Sequence, residues 1–155
     1  MQITDFPATD GVTDTPTLSV DTTSALIALY DRSVDSVNGF ATMVEKAEPS
    51  FRDTAERFRA LHTQHANTLA RILADHGVRT DANGSIMGLV NQAVVTFRAF
   101  FDEIDEDVMD QVRSGEDWVL KAFDTAMEEQ PALTPTLYKM RDELTSLLAD
   151  TRNLG

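Results

Sequence analysis

The sequence contains no cysteine. This absence excludes disulfide bridges, thiol nucleophiles, iron–sulfur clusters and zinc sites built from cysteine. No uninterrupted apolar run of about 18 residues occurs either, so we expect no transmembrane helix. Basic residues are few, since 13 Lys and Arg stand against 26 Asp and Glu and give a formal net charge of −13. Because nucleic acids and anionic membranes are polyanions, neither is expected as a partner.

Catalytic motifs are also missing. The sequence has no P-loop, no G-x-G-x-x-G, no G-x-S-x-G, no H-E-x-x-H and no EF-hand loop. The N-terminal segment lacks the basic and apolar regions of a secretory signal, so we expect a cytoplasmic protein. Residues 1–20 are rich in Thr, Asp and Pro and are predicted to form a flexible tail, followed by one helical domain over residues 21–155.

Helical periodicity is present throughout that domain. A single helix over 85–129 would be about 68 Å long, against about 40 Å for the two helices before it, so we predict a break between residues 101 and 107. The sequence therefore predicts five helices, called helices 1, 2, 3a, 3b and 4, over 22–47, 50–76, 85–101, 105–129 and 134–151.

Helix ends carry recognisable signals. Ser50, with Asp53 three residues later, resembles a capping box that begins helix 2. Gly77 is expected to supply the left-handed residue that ends this helix. Thr134 followed by Pro135 predicts the cap and the first helical position of helix 4.

We expect an all-α, antiparallel four-helix bundle made of helices 1, 2, 3b and 4 in chain order, with helix 3a as an additional element before the third bundle helix. Helix 3a has an apolar face wider than one groove of the bundle requires. Because surplus apolar surface tends to find a partner, we expect a homodimer that uses this helix. The residues that carry this prediction are Leu89, Phe97, Phe100 and Phe101.

Polar residues interrupt the apolar seams of two helices near their midpoints. His62 and His65 lie on one face of helix 2, since residues three apart face the same way. Glu116 lies on the seam of helix 3b, and Asp35 and Glu143 lie beside the seams of helices 1 and 4. Midpoints of bundle helices lie at similar heights, so these side chains are expected to converge. Imidazoles with carboxylates suit one divalent ion, Fe, Mn or Zn, whereas the alternative is a hydrogen-bonded polar network without metal.

The chain from residue 22 to residue 152 resembles a bacterial family of ferritin-like four-helix bundles that is classed as a domain of unknown function and linked to stress responses. The resemblance rests on three short motifs, which are Asn38-Gly39-Phe40, Gly84-Ser85 and Ser114-Gly115-Glu116-Asp117 followed six residues later by Phe123. It implies the ferritin-like bundle and no established activity.

Di-iron sites in ferritin-like proteins use a Glu from each of two helices and Glu-x-x-His from each of the other two. Here Arg59, His62 and Leu73 precede the three histidines by three positions, so no Glu-x-x-His exists. Three functions follow as hypotheses. The first is a non-catalytic stress or interaction protein, which the missing motifs favour. The second is a metal-binding protein with a degenerate central site, and the third is a sensor that binds a small ligand between helices.

Overall fold

A computed structural model of the chain describes residues 20–80 and 108–152. These residues form four α-helices and no β-strand, which confirms the all-α class. The predicted helix 3a, its dimer face, the break at 101–107 and residues 1–19 of the predicted tail lie outside the described residues. The helices are α1 (Val20–Lys46), α2 (Pro49–Asp75), α3 (Met109–Glu129) and α4 (Thr134–Asp150), with a 3-10 turn over Pro131–Leu133 before α4.

The end of α2 has the glycine predicted for it. Gly77 adopts a φ of +84°, in the left-handed region that favours glycine. Its N–H donates to the carbonyl of Ala74, and the N–H of Val78 donates to the carbonyl of Leu73. This pair of bonds is the Schellman motif, which satisfies carbonyls that a helix end leaves free.

The starts of α2 and α4 differ from the prediction. Glu48 is the N-cap of α2 and Pro49 follows it in the first turn, without a side-chain cap bond, so Ser50 lies inside the helix. Proline fits here because its missing N–H would be unbonded anyway. Thr134 is likewise the first residue of α4 rather than its cap, because the preceding 3-10 turn places Leu133 at the cap position.

The core forms where α1 packs on α2 and α3, and α4 packs on α3 and α2. The apolar spacing of helices 3b and 4 predicts two seams whose residues are all buried, which confirms them: Met109, Val112, Val119, Phe123, Ala126, Leu137, Met140, Leu144 and Leu147. None of the helices in the described ranges is both long and apolar enough to cross a membrane. The largest fully buried side chains include Phe51, Phe58, Phe123, Leu26, Leu69 and Leu144.

Contacts with α4 show that α2 and α3 run in the same direction. Arg57 of α2 pairs with Asp150 near the end of α4, and His65, further along α2, contacts Glu143, which lies earlier in α4. Arg113 of α3 likewise donates to the carbonyl of Thr151, beyond the end of α4. Asp124, further along α3, accepts a hydrogen bond from Arg141, which lies nearer the start of α4.

Helix α4 is therefore antiparallel to both α2 and α3. The expectation of alternating directions in chain order is wrong for α2 and α3. The chain between them, residues 76–108, is long enough to return to the end of the bundle at which α2 began, because an extended residue spans about 3.3 Å.

Candidate functional site

A column of aromatic rings crosses the middle of the described helices. Phe58 and Phe40 stack with ring centroids 4.9 Å apart, and Phe40 in turn stacks on His62 at 5.7 Å. His62 meets His65 edge-on at 6.4 Å, and His65 meets Phe123 edge-on at 5.8 Å. The two imidazoles are thus held between Phe40 of α1 and Phe123 of α3, which restrains the planes of their rings.

His62 is completely buried and pairs with Glu116 across the bundle. Its Nε2 donates to Oε1 of Glu116 over 2.7 Å, and the Glu116 side chain is only 2% exposed. A short, charge-assisted hydrogen bond of this kind compensates both groups for the water they lose. The bond joins α2 to α3.

His65 forms a second pair with a more open partner. Its Nε2 donates to Oε1 of Glu143 over 3.0 Å, and the Glu143 side chain is 35% exposed. Burial is the largest influence on His65 and lowers its pKa, although the bond to Glu143 acts in the opposite direction. The lowered pKa favours the neutral form of His65 at pH 7. Because a carboxylate oxygen of Glu143 accepts the bond, we assign the proton to Nε2 and the lone pair to Nδ1.

Four buried polar atoms in the described part of the protein have no hydrogen-bond partner. They are Oδ1 of Asp35, Nδ1 of His62, Nδ1 of His65 and Oε2 of Glu116. Buried polar groups are hydrogen-bonded in most proteins, so each exception requires an explanation. Three of the four belong to His62, His65 and Glu116. In each of these side chains the other polar atom is already hydrogen-bonded.

Asp35 is buried on α1 and belongs to neither pair. Burial is the main cause that raises its pKa to about 6, and repulsion from Asp31 acts in the same direction. Arg32 lowers the pKa but does not reverse the shift. Asp35 therefore takes up a proton near neutral pH more readily than an exposed carboxyl group does.

A small cavity of about 20 Å³ lies between α1 and α3 beside the first pair. A larger depression of about 480 Å³ lies on the outer face of α2 and is lined mainly by polar side chains of that helix. The small cavity between α1 and α3 is lined by Ser36, Phe40, Met43, Gln111, Val112, Gly115 and Glu116.

The prediction that His62, His65 and Glu116 are buried, with at least one histidine bonded to a carboxylate, is confirmed. The structure also brings Glu143 to His65, as the placement at mid-helix indicated. Asp35 is buried but stays outside both pairs. Within residues 20–80 and 108–152, no group of three or more His, Asp or Glu side chains is arranged to hold a metal ion.

Two contributors to this centre were not predicted as such. Phe40 covers one face of His62, and Gly115 opens the cavity beside Glu116. Phe40 and His62 are not equally distant from the short link between α1 and α2, so hairpin geometry alone does not predict their contact. No signal in the sequence marks the cavity.

Comparison with known proteins identifies the family. No curated protein and no solved structure matches the chain. One family model, described as "Domain of unknown function (DUF2383)", matches residues 21–129. The matched range contains His62, His65 and Glu116 and ends before Glu143, so the second pair uses a residue beyond it. Since the match covers more than half of the sequence, the chain belongs to the DUF2383 family of unknown function.

Proposed function

We propose that this chain is a non-catalytic ferritin-like bundle protein whose centre is a closed network of two histidine–carboxylate pairs. The observation that carries the proposal is that both imidazoles already use Nε2 to bind a carboxylate. Glu116 and Glu143 therefore stabilise the fold as hydrogen-bond acceptors for the histidines. A network of this kind links α2 to α3 and α4 and supports one specific packing of the helices.

The ferritin-like assignment is supported by the helix directions. Helix α4 is antiparallel to α2 and α3, while α2 and α3 run in the same direction and are joined by a long connection. A four-helix bundle with one long crossover is the arrangement of ferritin-like folds.

The residues of the centre do not fit a di-iron site. Such a site needs carboxylates on several helices that are free to bridge two ions, together with Glu-x-x-His on two helices. Here both histidines lie on α2, and Glu116 and Glu143 are each bonded to an imidazole. Oxidase or ferroxidase chemistry of the di-iron type is therefore no part of this proposal.

An interaction role is supported by the surface. Trp118 and Tyr138 are large, well-exposed aromatic side chains, and the Trp118 ring lies 5.4 Å from both the Arg32 guanidinium and the Lys121 ammonium. Exposed aromatic residues are enriched at protein interfaces. The homodimer through residues 85–101 stays a prediction, and light scattering of the full chain at about 100 μM tests it, because stable dimers have Kd values well below that.

A specific observation favours one second candidate, a protein that binds a single divalent cation. Metal-binding histidines commonly donate one ring N–H to a carboxylate and bind the metal with the other nitrogen. His62 and His65 have this arrangement, with both Nδ1 atoms unpartnered. Glu116 and Glu143 would hold the two imidazoles, and Asp35 would supply an oxygen ligand. Because no three of these side chains converge in the described residues, binding a cation would require them to move. The sensor of small ligands gains no such support, because the cavity between α1 and α3 is far smaller than the several hundred Å³ of ordinary ligand pockets.

Elemental analysis of protein purified without a histidine tag distinguishes the two candidates. The proposal predicts no stoichiometric metal and an unchanged melting temperature in Fe, Mn and Zn salts. Metal at about one ion per chain, lost in His65→Ala and kept in His76→Ala, would establish the cation-binding candidate instead. His76 is a suitable control because its Nδ1 donates to the carbonyl of Ile72 at the end of α2, away from the pairs.

A further inference from the structure

The cavity between α1 and α3 has the size of one water molecule. Its volume is about 20 Å³. A site needs roughly 10–15 Å³ of such volume to hold a water molecule, so it accommodates one and excludes organic ligands.

The lining of the cavity is polar where it approaches the first histidine–carboxylate pair. Glu116 lines it, and Oε2 of Glu116 is buried without a protein partner while Oε1 is bonded to His62. Ser36 and Gln111 also line the cavity and supply further polar groups. Water in a buried site generally makes about three hydrogen bonds to groups that would otherwise be unsatisfied.

Gly115 lines the cavity where it approaches the surface. A Cβ atom at this position would meet no atom within 4 Å, so the glycine faces open space. Gly115 is partly exposed and Gln111 is exposed, whereas Glu116 beside them is buried. The cavity therefore lies between the surface of the α1–α3 groove and the buried pair.

We propose that this cavity binds one water molecule, which donates a hydrogen bond to Oε2 of Glu116 and connects the His62–Glu116 pair to solvent through the gap at Gly115. The bound water satisfies an acceptor that no protein group reaches. It also gives protons a route to an otherwise enclosed pair. The proposal does not depend on whether the centre binds a cation, because the ligand and the probe are water.

Two variants at one position test this site by stability. Gly115→Ala adds only a methyl group in open space, whereas Gly115→Leu carries a side chain long enough to enter the cavity, and both residues favour helices. If water is bound, leucine displaces it and leaves Oε2 of Glu116 without a donor. The melting temperature of Gly115→Leu should then lie about 2–4 °C below that of Gly115→Ala, the shift expected for the loss of a modest interaction in a chain of this size. An equal or higher melting temperature for the leucine variant would overturn the proposal.

Two further measurements keep the test independent of a single variant. In a Glu116→Met background there is no carboxylate for the water molecule to bind. The difference in melting temperature between Gly115→Ala and Gly115→Leu should therefore disappear. Persistence of the full difference there would contradict the proposal. In the unaltered protein, nuclear Overhauser transfer from a long-lived water molecule to the backbone N–H groups of Gly115 and Glu116 is expected. Absence of that transfer, with normal signals elsewhere in α3, would also overturn it.

Discussion

The two histidine–carboxylate pairs have the same chemistry in different surroundings. His62 and Glu116 are both enclosed, and their bond measures 2.7 Å. His65 is equally buried, but about a third of the Glu143 side chain reaches solvent, and the bond measures 3.0 Å. Since the type of partner is the same, we expect burial of the carboxylate to decide how much each pair contributes to stability. Bulk solvent can replace a lost partner in the second pair, whereas the cavity beside the first pair has room for only one water molecule.

The largest expected effect is the loss of Glu116. Glu116→Ala leaves Nε2 of His62 unpaired in a fully buried position, and removing one partner from a buried pair typically costs about 3–5 kcal/mol. Glu143→Ala should cost about 1 kcal/mol or less, because solvent reaches that site. Urea unfolding followed by circular dichroism measures both. Equal losses of unfolding free energy in the two variants would show that burial of the carboxylate does not govern these pairs.

Asp35 shows what burial does to a carboxyl group that has no imidazole partner, unlike Glu116 and Glu143. Burial raises the pKa of Asp35 to about 6 in the folded protein, from the ordinary value of 3.8 for an aspartate. The folded state therefore prefers the protonated form, and this stabilising contribution is complete at pH values below about 4 and is lost as the pH rises through 6. Asp35→Asn removes the ionisation and should stabilise the protein by about 1–3 kcal/mol at pH 8, with little effect at pH 4. A variant that is destabilised at pH 8 would show that the ionised carboxylate is required.

His65 should show the opposite dependence on pH. Its folded-state pKa is lowered, so the unfolded chain binds a proton more readily than the folded protein does. Its stabilising contribution is present above the unfolded pKa of about 6.5 and is lost as the pH falls below that value. In the Asp35→Asn background, stability should therefore decline between pH 7 and pH 5, and the additional change His65→Gln should flatten the decline. If the decline in stability between pH 7 and pH 5 is unchanged in His65→Gln, titratable groups other than His65 cause it.

The smallest effect is expected for the ion pair between Arg57 and Asp150. It joins the same two helices as the His65–Glu143 pair, over 3.1 Å, but both side chains are exposed. Exposed ion pairs contribute little, so Arg57→Ala should change the unfolding free energy by about 0.5 kcal/mol or less, and by less still in 1 M salt. A loss as large as that of Glu143→Ala would mean that solvent exposure does not govern these contacts.

Much of the fold follows from the sequence because helices are encoded locally. Apolar spacing predicts α1 to α4 within a few residues, and it places His62, His65 and Glu116 on core seams. The prediction that Ser50 begins α2 is wrong, because Glu48 is the cap and Pro49 occupies the first turn. The direction of α3 relative to α2 depends on where a long connection returns, and residue spacing carries no such information.

The centre is only partly predictable for a related reason. Glu143 and Asp35 both lie beside apolar seams, yet one forms a pair and the other is buried without an imidazole. That outcome depends on the rotation of α1 and α4 about their axes, which tertiary packing determines. The family resemblance names no activity, so the chemistry of the centre has to be obtained from its geometry.

The protonation and hydrogen bonding of the two imidazoles distinguish a closed histidine–carboxylate network from a cation site. Long-range proton–nitrogen spectra of protein labelled with ¹⁵N-histidine report which ring nitrogen carries the proton. We expect His65 to be protonated on Nε2 and bare on Nδ1. His76, whose Nδ1 donates to the carbonyl of Ile72, should have the opposite form and serves as the internal reference. Addition of one equivalent of Zn²⁺ should leave the His62 and His65 signals unchanged. A stoichiometric shift of their Nδ1 signals would contradict a closed network and show that the centre binds a cation.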